Sequence, residues 1–430
     1  MKRFCCIKKW GHLLALGLIC FASCKTMQKP VLELENPVGT ERQDELIVLS
    51  RQSLAKKLGN IPSGKFVQLN ADGQPILIQY DDMDGDGNWD EMAFLYSFLP
   101  SQKKSFQLQL SDAPAAIKAV VRANARHRRK NADNSFGPDL AADSIPAGQP
   151  ATDFSKQPLP PFLTEGPAWE NDKVGFRLYF DVRNGKDIWG KTTADMVLDT
   201  VGMSPASNYH QQAGWGMDVL KVGPSLGAGA LALYVPGMNG KDSLVRVGGR
   251  HIEKVSYKKV VDGPVRAIIN LTYHNWKIAE NMPPLQLTET ISIWGGQYFY
   301  ESTVIIRGAP ADAKLVTGVV NLHHAEQQNF ESGGVKGLYT WHNQSENKDN
   351  LGMAILAASS VVEKFSDASG VHSDIKNSYL AVMNTNASSP VGFRFFAGWE
   401  KSSPMFKSAE GFRNFLEHQA NLYQHPILIR

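Results

Sequence analysis

The chain has 430 residues, 43% hydrophobic and 20% charged, an ordinary globular composition for one large or two medium domains. Lys and Arg total 45 against 42 Asp and Glu, a formal charge of +3 with no long block of either sign, which excludes a general polyanion or nucleic-acid binder. All four cysteines (Cys5, Cys6, Cys20, Cys24) fall within the first 24 residues, so the chain beyond them has no thiol nucleophile, disulfide or cysteine-bound zinc.

Those first 24 residues read as a leader. "MKRFCCIKKW" is a positive n-region, and "GHLLALGLICF" is an apolar stretch too short to span a bilayer. "FASC" resembles a bacterial lipobox, and cleavage there leaves Cys24 as a diacylated N-terminus that anchors the protein to a membrane. Plain secretion with cleavage near Ala22 is the alternative. Loss of Lys2, Arg3, Lys8 and Lys9 lowers the formal charge by four, to −1. The following "KTMQKP" carries no acidic run of the surface-export kind, which favours a periplasm-facing outer-membrane lipoprotein.

Residues 25–110 are expected to form a tether and a small antiparallel β-sandwich. "ELIVLS", "KFVQLN", "PILIQY", "MAFLYSF" and "SFQLQL" alternate with period two between "ADG" and "DGDG" turns, while "RQSLAKKLG" reads as a short helix ending at Gly59. Within "DDMDGDGNWDE", Asp82, Asp84, Asp86 and Asp90 take positions 1, 3, 5 and 9 of a calcium-type loop, with Gly87 at the sharp turn. Position 12 is Ala93 rather than an acid. A structural Ca²⁺ is the expectation, against an exposed acidic β-turn, and no organic cofactor is expected.

Residues 111–165 are polar, rich in Ala and Pro and weakly periodic, so they read as a linker or a functional excursion. Their basic run Arg126, His127, Arg128, Arg129 and Lys130 either meets an anionic substrate or is a solvated loop.

Residues 166–430 carry about ten further alternating segments, from "KVGFRLYFDV" to "VGFRFFAGW", and imply a large antiparallel β-sandwich with broad sheets and a concave face. "SAEGFRNFLEHQANLY" has helical spacing, with Ser408 as its N-cap. The predicted fold is thus mainly β: a small N-terminal sandwich, a large one, and a C-terminal helix.

The chemistry-bearing stretch of this region is "SNYHQQAGWGMDVLKVG". His210 can act as acid or base near neutral pH, Tyr209 offers a phenol, and Asp218 and Lys221 can tune either neighbour. Gly214 and Gly216 would bring Trp215 and Asp218 close to a ligand; a structural glycine loop is the bland alternative. Arg177 alternates with Phe176 and Leu178 and could fork onto a carboxylate. Glu289 stands among apolar neighbours, where burial would raise its pKa or a partner would satisfy it. His323 ends a strand beside His324, an arrangement that cannot chelate one metal without distortion. Trp169 and Trp215 offer flat faces for a sugar ring, with Glu170 beside the first, although core packing explains tryptophans equally well.

"PAWENDKVGFRLYFD", "YHQQAGWGMDVLKVGPSLGAGALALY", "VDGPVRAIINLTYHNW" and "FAGWEKSSPMFKSAEGFRNFL" together resemble the family called domain of unknown function 4861, common in Bacteroidetes, over nearly the whole chain after the leader. The resemblance implies a β-supersandwich of the galactose-mutarotase type, encoded beside or fused to glycan-degrading enzymes that act on unsaturated uronates. It implies an acidic oligosaccharide as partner and supplies no settled catalytic residues.

Four readings follow. A lyase would use His210 or Tyr209 as base and acid, Asp218 to orient His210, and Arg177 and Lys221 to neutralise the growing carboxylate charge. A hydrolase would need two carboxylates, from Asp218, Glu289 and Glu170. A mutarotase-like epimerase would pair His210 or His323 with Glu289, and a non-catalytic carbohydrate-binding lipoprotein would need only the aromatic rings and an arginine.

Overall fold

The computed structural model describes residues 30–146, 148–206, 208–385 and 389–430. Cys24 and the leader lie outside the described residues.

The N-terminal segments pair as their alternation predicts. Val31–Glu35, Phe66–Ala71, Gln74–Pro75 and Lys103–Ser111 form one antiparallel sheet, and Arg42–Ser50, Gln79–Asp81 and Glu91–Phe98 form a second. Their inner faces bury Leu34, Val67, Leu69, Met92, Phe94, Phe98 and Phe106 in one core. The short helix Arg51–Leu58 begins at Ser50, whose side chain accepts the Ser53 amide, and stops at Gly59 at a φ of 78°. The chain end returns to this sandwich: Leu428–Ile429 pairs with Val31–Glu35.

The large sandwich is built on a nine-stranded antiparallel sheet, ordered Gln328–Ser332, Val335–Asn343, Asn350–Ala358, Val391–Trp399, Phe299–Arg307, Leu285–Trp294, Arg266–Trp276, Lys254–Val261 and Ala142–Pro146. Two five-stranded sheets share a hydrophobic core with it. One contains Ala228–Val235, Ser243–Arg246, Lys314–Val320, Val362–Asp367 and Ser378–Asn384; the other contains Ala123–Arg126, Ala168–Asn171, Val174–Leu178, Lys186–Lys191 and Gly216–Asp218. The helix Ala409–Gln424, capped by Ser408, packs Phe412, Leu416 and Ala420 onto the end of the large sheet.

The segment 111–165 is more than a connector. Ala123–Arg126 pairs with Ala168–Asn171, and Ala142–Pro146 pairs with Lys254–Val261 as the edge of the large sheet. These strands are too short for their alternation to stand out from the surrounding polar sequence. The basic run is not a solvated patch either. Arg126 is fully buried and donates to the carbonyls of Leu198 and Leu163, and His127 and Arg129 both bond Asp143.

Ion pairs fix the small sandwich against the large one. Arg122 forks onto Asp44 at 2.7 and 2.8 Å and reaches Asp172 at 2.8 Å, while Arg266 binds Asp81 and Glu91.

Candidate functional site

The five-stranded sheet that ends in Gly216–Asp218 has two differently made faces. Trp169, Phe176, Leu178 and Ile188 point into the main core. Strand alternation then forces Arg126, Glu170, Arg177, Asp187 and Asp218 onto the other face, and all five are buried. The roof over them comes from residues 192–206 and 208–215, which lay Val197, Leu198, Val201, Tyr209 and Trp215 on Ala168 and Trp189. Gly216 pins the end of this roof at a φ of 129°; a Cβ there would sit 1.8 Å from the Gly190 carbonyl oxygen. The glycine-rich loop is therefore a lid over a charged layer.

Arg177 is the centre of that layer. Its Nη2 donates to Asp218 at 2.6 Å, Asp187 at 2.7 Å and the Tyr179 hydroxyl at 3.1 Å. Its Nη1 donates to the Thr164 carbonyl, Glu165 and the Tyr209 hydroxyl at 3.1, 3.4 and 3.3 Å, and Nε reaches Asp187 at 3.1 Å. With its donors taken and no exposed surface, Arg177 cannot fork onto a substrate carboxylate, as the sequence suggested. It positions its neighbours instead.

Three carboxylates share this one guanidinium, so they cannot all be neutralised by it. Burial opposes the charge on Arg177, but the Coulombic pull of Tyr179, Asp218 and Asp187 outweighs it and raises its pKa. Asp218 moves well above the usual carboxylate range, through burial first and then repulsion from Asp187. Two raised pKa values do not describe a simple ion pair. The hydrogen bonds resolve the conflict: Asp187 Oδ2 accepts twice from Arg177 and once from Tyr179, and Oδ1 accepts the Ile188 amide. Asp218 has one strong bond and a 3.4 Å amide, so Asp218 is the carboxyl that takes up a proton.

His210 stands at the mouth. Its Nδ1 lies 3.4 Å from Asp218 Oδ2, its side chain is 54% exposed, and its ring lies 4.5 Å from that of Tyr209. Burial, then repulsion from Arg177, lowers its pKa, which keeps the imidazole neutral at pH 7. Nε2 makes no hydrogen bond to a described residue. Tyr209 carries its proton more firmly than a free phenol, through burial.

The layer also holds groups that the sequence reading missed. Glu165, at a φ of 70° beside Thr164 at 49°, accepts from Arg177 with Oε2 and from Arg183 with Oε1 at 2.7 Å. Consecutive left-handed non-glycine residues cost free energy and cluster at functional sites. Gly166 follows, where a Cβ would meet the Leu178 carbonyl at 2.1 Å. Nothing in "LTEGP" signals this turn. Asp187 and Tyr179 were legible in principle, since alternation in the hairpin places them on the same face as Arg177.

The remaining candidates are scattered. Lys221 is exposed and bonds no described residue, and exposed His323 makes no contact with the cluster. Trp169 is fully buried in the main core, stacked on Phe176, and offers no face to a sugar; Trp215 is half-buried against Trp189. Glu170 is an interior acid that binds Lys191 at 2.6 Å and accepts the amides of Val197 and Leu198, pinning the lid. Glu289 lies in the main core, bonded to Lys186 at 2.5 Å and Ser302 at 2.6 Å. Both acids are buried, Glu289 with its Oε2 unpartnered among the described residues, and neither can reach a substrate.

In the N-terminal sandwich, ligand oxygens of Asp82, Asp84 and Asp86 lie within 4.8 Å of one another. Asp82 accepts the amides of Gly85, Asp86 and Gly87, which draws its pKa down. Asp90 is outside this cluster, its carboxylate turned onto the Met83 amide. The donors are all hard oxygens, which fits a hard cation such as calcium.

A supersandwich with a lidded charged layer is the class that this fold and site define. The chain belongs to the family described as Domain of unknown function (DUF4861), whose model matches residues 34–429. It is similar to "Uncharacterized protein P7" of Formosa agariphila, at 22% identity over 429 residues and 95% of each chain. Among solved structures it is similar to an alpha-mannosidase from Enterococcus faecalis V583 (TM-score 0.49) and to a protein in glycosyl hydrolase family 38 from Enterococcus faecalis (TM-score 0.48). Each is 10% identical and covers 94% of this chain, which spans only 46% and 47% of theirs.

Proposed function

We propose that this protein is a carbohydrate-active enzyme that moves a proton on a uronate-containing oligosaccharide, as a lyase, with His210 as the base. One observation carries the reading: a neutral, half-exposed imidazole has Nδ1 against a buried carboxyl that Arg177 holds in place, while Nε2 is left for substrate. A base of lowered pKa beside a protonated phenol is the pairing that abstraction at one carbon and protonation of a leaving oxygen require.

The hydrolase reading is weaker, because Glu170 and Glu289 are committed to buried lysines. A binding lipoprotein is the competing class, and membrane attachment through Cys24 belongs to either. Assaying acidic oligosaccharides for a new conjugated double bond separates them: a lyase makes one, a hydrolase makes only new reducing ends, and a binder makes neither. Loss of the signal in His210→Gln supports the assignment; equal signal in that variant removes it.

A further inference from the structure

A large cavity lies away from His210, on the far side of the Glu165–Arg183 ion pair. It is an open cleft of about 1010 Å³, walled by Arg183, His251, His372 and Asp374 among apolar Leu244 and Ile278. A narrower pocket of about 310 Å³ adjoins it and contains Glu165, Asp181, Arg129 and Phe162. Pro150 and Ala151 line both cavities, so the two are compartments of one groove.

The ion pair at their junction is built to stay. Arg183 stacks 3.9 Å from the Tyr179 ring centroid, and its Nη2 binds Glu165 at 2.7 Å and Asp181 at 2.5 Å. Both carboxylates are nearly buried, at 6% and 8% exposure, while Arg183 keeps 32%. The hydrogen bonds of Arg183 run through Nε and Nη2; Nη1 makes none with a described residue. A donor held rigidly from behind and free in front is a ligand-facing group.

We infer that this groove is an oligosaccharide-binding site separate from His210, with one ring in the narrow compartment and the following units along the open cleft past Arg183. The ligand class rests on the function proposed above; the site itself rests on the cavities. Volumes of about 300 and 1,000 Å³ bracket those of ordinary small-molecule sites. The walls alternate apolar surface with donors, as a sugar's two kinds of edge require. Arg183 and Arg246, set against the single carboxylate of Asp374 that Arg246 pairs, favour an anionic saccharide over a neutral one in the open cleft.

The test is calorimetric binding of tetragalacturonate, with a neutral galactose tetramer as control, to the full protein carrying His210→Gln so that turnover does not intervene. The acidic tetramer is expected to bind more tightly, and Ala151→Trp, which fills the junction from an exposed position, to weaken it by about tenfold or more at unchanged melting temperature. Arg183→Met is expected to erase the preference for the acidic tetramer. Undiminished binding to folded Ala151→Trp and Arg183→Met proteins, or no binding of either tetramer, overturns the groove. Binding without any double-bond formation by the His210-intact protein would retain the groove and remove the lyase, so the two failures are distinguishable.

Discussion

Asp218 and His210 face each other at 3.4 Å across the boundary of the protein interior, the carboxyl fully buried and the imidazole half in solvent. Arg177, 2.6 Å behind Asp218, fixes the carboxyl from within. Replacing Asp218 by Asn keeps an acceptor for Arg177 and removes the titrating oxygen. Activity on acidic oligosaccharides is expected to fall by about 10²-fold or more, with folding retained.

The same substitution has a signature in stability. Asp218 has a raised pKa in the fold, so the folded state holds a proton that the unfolded state releases. Its contribution is full below the ordinary carboxylate range and declines as pH rises towards the raised pKa. Urea unfolding at several pH values should show Asp218→Asn losing this decline. An identical slope in both proteins would contradict the protonated Asp218.

Arg177→Met should be far more damaging than an average substitution. It leaves Asp187, Asp218 and Glu165 buried without their shared cation, at an expected cost of about 3–5 kcal/mol. Denaturant titration measures it directly. Lys221→Met, on the exposed surface, should change stability by less than about 0.5 kcal/mol.

Acid should weaken the fold through buried histidine. His127 is fully buried between Phe162, Phe180 and Tyr257, and burial lowers its pKa despite the 2.8 Å bond to Asp143. Asp143 stays anionic, its burial outweighed by bonds from His127 and Arg129, so the counter-charge is supplied by Arg129 while His127 stays neutral. With a lowered folded pKa the unfolded state binds the extra proton, so stability falls as pH drops below about 6.5. His127→Phe should flatten that slope, read from melting temperatures.

Calcium is expected to raise the melting temperature of the protein, and Asp84→Asn with Asp86→Asn to abolish the effect. The loop is exposed and lacks an acid at position 12, so affinity in the range of extracellular modules, about 10⁻⁴–10⁻³ M, is expected. No shift at millimolar calcium would leave the aspartates as turn formers.

The fold was readable where period-two alternation was long, which holds for most strands, and both helices were readable, one from its terminal Gly59 and the other from helical spacing after Ser408. It was unreadable at Ala123–Arg126 and Ala142–Pro146, whose four or five residues gain their order from longer partners. The site was half legible. Arg177, Tyr209, His210 and Asp218 converge because two strands and a lid carry them to one face. Glu165 and Arg183 joined them through a left-handed turn and an ion pair that no spacing announces. Glu170 and Glu289 misled for a physical reason: an acid among apolar residues reads the same whether it faces a ligand or a buried lysine.

The decisive measurement is the rate of conjugated double-bond formation on acidic oligosaccharides by the parent protein and His210→Gln, across the pH range. The account predicts activity in the parent that falls only below the ordinary histidine range, because the His210 pKa is lowered, and none in the variant. Equal rates in the two folded proteins, or no double bond from any uronic oligomer, would contradict it.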